Sequence, residues 1–324
     1  MNLHSQFNNT QNSALLRALK TIALADLELS GPEREFIESV GHYFAAGDAV
    51  LDNLSTIAPE ELAKTFPFIL DRATVLDFCI LLALVNGKTC REQELQLDAM
   101  ESAFEFKSVE LDVYRNIRAN RPRRISAVLD EQGFGGLSMR ARRRKYPVAS
   151  MIQRMKMRLG MNNVGLTRRY RSYAEFDRGT LGREYYEFIV RNELPFPGEA
   201  APWEHLVHHD LAHVLGDFGT SAEEEVLVVT FQAASQKFNP FFSVMTAICL
   251  FHLGLETSGA NVVEAQTMQW QPGSFFRELR RGSNCLVDFS DGWDFRPYMS
   301  MSLDAARSSL GISPRTSARW RNNH

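Results

Sequence analysis

His209-Asp210-Leu211-Ala212-His213, followed after eleven residues by Glu225, puts four side chains able to bind a metal within 17 residues of one another. Four of the eight histidines (His205, His208, His209 and His213) fall within nine residues. On a helix turning about 100° per residue, His209, Asp210 and His213 sit near 0°, 100° and 40°, so a single face presents all three. Gly216 and Gly219 are expected to break that helix. Thr220-Ser221 followed by Glu223 and Glu224 reads as an N-cap with a capping box opening the next one, with Glu225 in its first turn. A tight helix-turn-helix then returns Glu225 to the histidines. Two imidazoles with one or two carboxylates suit Zn²⁺ or a similar divalent ion, with positions left for water or substrate. A histidine pair at i, i+4 is common surface decoration, so the metal reading rests on the joint pattern with Asp210 and Glu225. A zinc-protease helix needs a glutamate where Asp210 stands. A His-Asp phosphohydrolase needs a distant upstream histidine, for which only His4 and His42 are available.

These residues carry a resemblance. HDLAHVLGDFGTSAEEE, read as His-Asp-x-x-His-x(11)-Glu, resembles the signature of the fourth protein of coenzyme Q biosynthesis, the Coq-four family. Thr180-Leu181-Gly182 with Tyr185, Tyr186 and Phe188 agree upstream, and Arg281-Gly282, Gly292-Trp293-Asp294-Phe295 and Leu310-Gly311-Ile312 agree downstream, so the likeness spans roughly residues 145 to 313. It implies a helical, membrane-associated protein that binds prenylated quinone precursors and uses a divalent metal, Zn²⁺ foremost, in removing the ring C1 carboxylate of a polyprenylated hydroxybenzoate, oxidatively or not. His209, Asp210, His213 and Glu225 match the motif position by position, and so are the implied metal-binding and catalytic residues. Asp210 either joins the ligands or orients a histidine. Leu206-Val207-His208 departs from the charged residues that members often carry there. The rival from another class is a non-enzymatic protein that presents such intermediates to other quinone-biosynthesis proteins; a closed four-ligand site favours it, and an open position favours catalysis.

The remaining sequence bounds this picture. At 324 residues with 44% apolar side chains, the chain is long and apolar enough for two domains with buried cores. Cys79, Cys90, Cys249 and Cys285 lack metal-type spacing, and Cys79 and Cys249 lie in apolar runs, so free thiols of a reducing compartment are expected. The N-terminal stretch MNLHSQFNNTQNS has neither signal-peptide nor transit-peptide character. Phe78–Val85 and Phe241–Phe251, the longest apolar stretches, are too short to span a bilayer. The localisation expected is bacterial-type cytoplasmic, peripheral to the inner membrane.

Charge is segmented. Residues 1–107 hold 8 Lys/Arg against 16 Asp/Glu, whereas residues 115–171 hold 16 Lys/Arg against Asp130 and Glu131 alone. Arg121-Pro122-Arg123-Arg124, Gly133-Phe134-Gly135-Gly136 and Arg142-Arg143-Arg144-Lys145 read as an exposed connection. Before it, Leu15, Leu16, Leu19, Ile22 and Ala23 recur at helical spacing, and Ser30-Gly31-Pro32-Glu33 opens a helix through Phe36, Ile37 and Val40. Ala23-Leu24-Ala25-Asp26 returns 60 residues later as Ala83-Leu84-Val85-Asn86. This duplication is similar to the TerB-like helical domain of tellurite resistance. Asn86 replaces the acid in one half, which makes helix capping the better reading than a cation site.

The expected fold is all-α, with a TerB-like domain over 1–107, a basic linker over 108–145, and a Coq-four-like metal- and prenyl-lipid-binding domain over 146–324. Ser150–Met161 sets Ile152, Met155 and Leu159 opposite Arg154 and Arg158, which suits either a helix on an anionic bilayer or a linker whose arginines pair with the acidic first domain. Nucleic acid ranks last, since no aromatic-interleaved module accompanies the arginines. Tyr185, Tyr186, Phe188, Trp203, Phe231, Phe238, Phe241, Phe242 and Phe251 are candidates to line a prenyl pocket or to fill ordinary core. His252 and Glu256 read as a surface pair or as support for the metal ligands. A homo-oligomer is compatible with all of this.

Overall fold

Asn8 closes a capping box with Gln11 and so starts the first helix, α1 (Asn9–Ala23), well before the periodic leucines begin. The computed structural model describes residues 7–44, 51–132, 162–199, 204–237, 239–255, 270–289 and 293–315. The described residues form fourteen α-helices and no strand, so the protein is all-α, as its periodicity predicts. After α1 come α2 (Gly31–Phe44), α3 (Pro59–Thr65), α4 (Ile69–Leu84), α5 (Arg91–Phe104), α6 (Val109–Arg118) and α7 (Pro122–Gln132). The later helices are α8 (Val164–Arg171), α9 (Leu181–Arg191), α10 (His205–Gly216), α11 (Ala222–Ser235), α12 (Pro240–Phe251), α13 (Pro272–Gly282) and α14 (Leu303–Ser309).

The duplicated pattern has a physical counterpart. α1 and α4 end at Ala23 and Leu84, and α2 and α5 begin at Gly31 and Arg91. The two junctions touch: at equivalent positions of the repeat the Gln93 amide donates to buried Glu33 at 3.0 Å, and beside them the Ser30 hydroxyl lies 2.9 Å from Asn86 Oδ1.

Two apolar cores organise the described residues. The first joins α1–α7 with α12, α13 and one side of α11, through residues such as Leu19, Phe36, Ile80, Phe104, Phe241, Ile248 and Phe276. The second joins α8, α9, α10, α14 and the other side of α11, through Tyr170, Tyr185, Leu211, Val228 and Phe231. A helix apolar on opposite sides must be covered on both, and α11 is such a helix past its acidic first turn. α11 satisfies this by giving Val226, Ala233 and Ala234 to the first core and Leu227, Val228 and Phe231 to the second.

Residues 108–132, read in the sequence as the start of an exposed connection, are instead α6 and α7. Leu111, Val113, Tyr114, Ile125 and Leu129 give these helices apolar faces buried in the first core. Two arginines of α6 pair with the acidic N-terminal region: Arg115 reaches Asp98 at 2.5 Å and Glu101 at 2.9 Å, and Arg118 pairs with Glu94. Gly133–Gly136, Arg142–Lys145 and Ser150–Met161 lie outside the described residues. All four cysteines are free, with Cys79 and Cys249 buried. No helix among the described residues is long and apolar enough to cross a membrane.

Candidate metal centre

α10 carries the histidines and α11 returns the glutamate, and the turn between them differs from the expected glycine hinge. The left-handed residue that ends α10 is Asp217, at φ 62°, a conformation Asp tolerates better than most side chains. The Phe218 amide then bonds back to the His213 carbonyl at 2.9 Å. Ser221 caps α11 by accepting from the Glu224 amide at 3.3 Å, yet the Glu224 side chain turns to the Gly219 amide at 3.1 Å and to Arg315, so the capping box is not reciprocal. Glu225 occupies the first turn of α11, as its spacing predicts.

His209, His213 and Glu225 converge, with one ligand atom of each lying within 4.8 Å of the others. His209 Nε2 is 3.2 Å from His213 Nε2 and 3.2 Å from Glu225 Oε2, and His213 Nε2 is 3.5 Å from Glu225 Oε1. The far nitrogen of each ring is already engaged. His213 Nδ1 donates to the Gly219 carbonyl at 2.9 Å, and His209 Nδ1 faces Gln232 Oε1 at 2.8 Å. A neutral ring that donates from Nδ1 presents a lone pair at Nε2, so once His209 gives up its proton both lone pairs aim at one point beside a carboxylate. Nitrogens held about 2.0–2.1 Å from a tetrahedral ion stand roughly 3.3 Å apart, which is the spacing found, and the donor set fits Zn²⁺. The His213 side chain is 2% exposed and stacks on Phe188, whereas His209 and Glu225 are 18% and 14% exposed, so solvent reaches the group from their side.

Asp210 is not part of this convergence. Its carboxylate lies 3.5 Å from the Tyr185 hydroxyl, at the outer limit of a hydrogen bond, and burial pushes its pKa up to about 6 against the pull of the two histidines. Burial disfavours the His209 cation, but hydrogen bonding and charge from Glu225, with help from Gln232 and Asp210, outweigh it and carry the imidazole from 6.5 to about 9. Burial opposes the Glu225 anion too, and the hydrogen bonds from both histidines overcome it, bringing Glu225 down to about 2.

These shifts set a pH dependence. A metal must displace the proton held by His209, so apparent Zn²⁺ affinity should climb about tenfold per pH unit until pH approaches 9 and then level off, read by chelator competition across a pH series. A flat profile below that pH would contradict it. For the metal-free fold the raised His209 pKa contributes stability that is complete below 6.5 and lost as pH rises through about 9. The lowered Glu225 pKa contributes stability present above 4.5 and lost as pH falls through about 2.

Other candidates lie elsewhere. His208 Nε2 is 3.1 Å from the Trp293 carbonyl and its ring packs on Trp293 and Phe295, while the side chain of His205 lies outside the described residues. His252 is neither a surface residue nor near the centre: buried in the first core, it bonds the Leu84 carbonyl at 3.1 Å and accepts from the Trp270 amide at 3.3 Å. Glu256 is outside the described residues. The aromatic set divides. Tyr185, Tyr186, Phe188 and Phe231 belong to the second core, Phe241, Phe242 and Phe251 fill the first, and Trp203 and Phe238 are not described.

Sequence reasoning missed Gln232, although one signal pointed to it: it stands seven residues after Glu225, two turns along the same face of α11. Its Oε1 meets His209, and its buried Nε2 has no partner among the described residues. Compared with known proteins, the chain matches no family model and no curated sequence.

Proposed function

We propose that this protein is a divalent-metal-dependent enzyme of ubiquinone-type biosynthesis that removes the ring C1 carboxylate from a polyprenylated hydroxybenzoate. The observation that carries the metal half is the pair of Nε2 atoms aimed with Glu225 at one point, each ring fixed from behind by Gly219 or Gln232. Three protein ligands with solvent access on one side leave a position for substrate, which favours catalysis over a closed structural site. The substrate half rests on the resemblance of His-Asp-x-x-His-x(11)-Glu to the Coq-four signature.

His209, His213 and Glu225 would hold the ion, Zn²⁺ being the best fit. When bound it supplies Lewis-acid stabilisation of substrate oxygens as negative charge develops on the ring. Glu225 lowers the net charge of the ion and the paired imidazoles. Asp210, electrostatically coupled to both histidines and Glu225, and the Tyr185 hydroxyl beside it would supply a proton. The carbon–carbon bond to the carboxylate breaks, carbon dioxide leaves, and ring C1 takes that proton. In this reading the prenyl tail stays with an anionic bilayer, and the protein works peripherally at the cytoplasmic face of a bacterial inner membrane.

The test is genetic complementation with the full chain, since α12 and α13 share the first core with α1–α7. In a host lacking its Coq-four protein and making a compatible prenyl length, the chain should restore quinone. Glu225→Ala should fold but fail, and its cells should accumulate a prenylated precursor still bearing the ring carboxylate. Full quinone levels with Glu225→Ala would instead favour presentation of intermediates to other enzymes. Failure of the intact chain would point to a different lipid substrate.

A further inference from the structure

The last carbonyls of any helix lack intrahelical partners. At the end of α10, four successive carbonyls are taken by arginines from the C-terminal third of the chain. Arg307 donates to Val214 at 3.1 Å and Leu215 at 2.9 Å, Arg281 to Gly216 at 2.7 Å, and Arg315 to Asp217 at 3.0 Å. Cations at the negative end of a helix are favourable. Arg315 does more than cap. Its guanidinium forks onto both oxygens of Glu224, at 2.5 and 2.9 Å, and its Nε reaches buried Glu278 at 3.3 Å. It also lies over the Phe218 ring, 4.6 Å from the centroid, and its side chain is only 5% exposed.

Glu224 is the residue before the ligand Glu225, and the oxygen that meets Arg315 also accepts the Gly219 amide at 3.1 Å. Gly219 in turn accepts from His213 Nδ1 at 2.9 Å. An unbroken line of contacts therefore runs from Arg315 through Glu224 and Gly219 to His213.

We propose that Arg315 is a positioning residue for the metal centre. By holding Glu224 with a two-pronged ion pair, it fixes the turn between α10 and α11 so that the Gly219 carbonyl keeps the proton of His213 on Nδ1 and its Nε2 facing His209 and Glu225. This rests on reading those three residues as the metal centre. The carboxyl-terminal segment thereby acts as a clasp on a site that lies about a hundred residues earlier in the chain. Only a fork can span both carboxylate oxygens, so lysine is a partial substitute. Arg307 is the natural comparator, because it caps the same helix end without touching Glu224.

The experiment measures Zn²⁺ affinity of the full chain by competition with a chromophoric chelator, and records the visible absorption of the Co²⁺-loaded protein. Arg315→Gln and Glu224→Gln should each weaken Zn²⁺ binding about 10- to 100-fold, as expected when a group orienting a ligand is lost. Their combination should cost little more than the worse single change, because both cut one line of contacts. Arg315→Lys should fall between, and Arg307→Gln should stay within about threefold of the parent. The Co²⁺ band should shift in Arg315→Gln and not in Arg307→Gln, with helical circular dichroism kept in both. Parental affinity and spectrum in Arg315→Gln and Glu224→Gln, or an equal loss in Arg307→Gln, would overturn the clasp while leaving the metal centre standing. No Zn²⁺ binding by the parent would overturn both.

Discussion

Replacing His213 or Glu225 with alanine should reduce bound metal from about one divalent ion per chain to almost none, measured by elemental analysis after gel filtration. Each substitution removes one of three convergent ligand atoms, and the remaining two cannot hold an ion against water. The loss should exceed the 10- to 100-fold expected when an orienting group is removed. His205→Ala should keep its metal. Asp210→Asn should keep it too, since Asp210 stands beside Tyr185 and outside the convergent set, while losing activity if it supplies the proton. Equal metal content in all four variants would remove the basis for the centre.

The second large effect concerns stability. Gly282→Ala should destabilise the fold by about 3 kcal/mol, because an added methyl has no room and rigid backbone cannot yield. α13 crosses α11 so closely at this point that a Cβ on Gly282 would lie 2.1 Å from the Phe231 carbonyl oxygen and 2.9 Å from Ala234 Cβ. Helices this near need a residue without a side chain at the crossing. α11 carries both Glu225 and Gln232, so any splaying of the two helices is felt at the centre as well. Thermal unfolding followed by circular dichroism checks this, and an unchanged melting temperature would show that α13 shifts freely. The same contact gives a packing reason for the Arg281-Gly282 pair: Arg281 lies over Phe231, 4.6 Å from its centroid, while Gly282 lets the helix approach.

The helical class and the convergence of His209, His213 and Glu225 were legible because they depend on local periodicity, where spacing along a helix determines what shares a face. α10 and the first turn of α11 fall where the histidines and Ser221 predict them. The misreadings came from contacts between distant segments. Glu224 has the spacing of a capping-box residue, yet a buried Arg315 91 residues away competes for it and wins. Gly216 and Gly219 look like the helix breakers, while the left-handed position fell to Asp217, with Gly216 leaving space for the Phe218 ring. Phe241, Phe242 and Phe251 are as aromatic as Phe188 and Phe231, and nothing local announces that they fill a different core. Arg121–Arg124 are exposed, as their charge predicts, yet they open a helix and are not a connection. One apolar stripe, with Ile125 and Leu129 four residues apart, was enough to make the segment a packed helix.

The most direct measurement of the central claim is anomalous X-ray scattering at the zinc edge from crystals of the full chain grown with Zn²⁺. A single strong peak should lie between His209 Nε2, His213 Nε2 and Glu225, about 2.0–2.2 Å from each, with a non-protein ligand completing the shell. A peak elsewhere, or none at these residues with the protein intact and Zn²⁺ in excess, would contradict it.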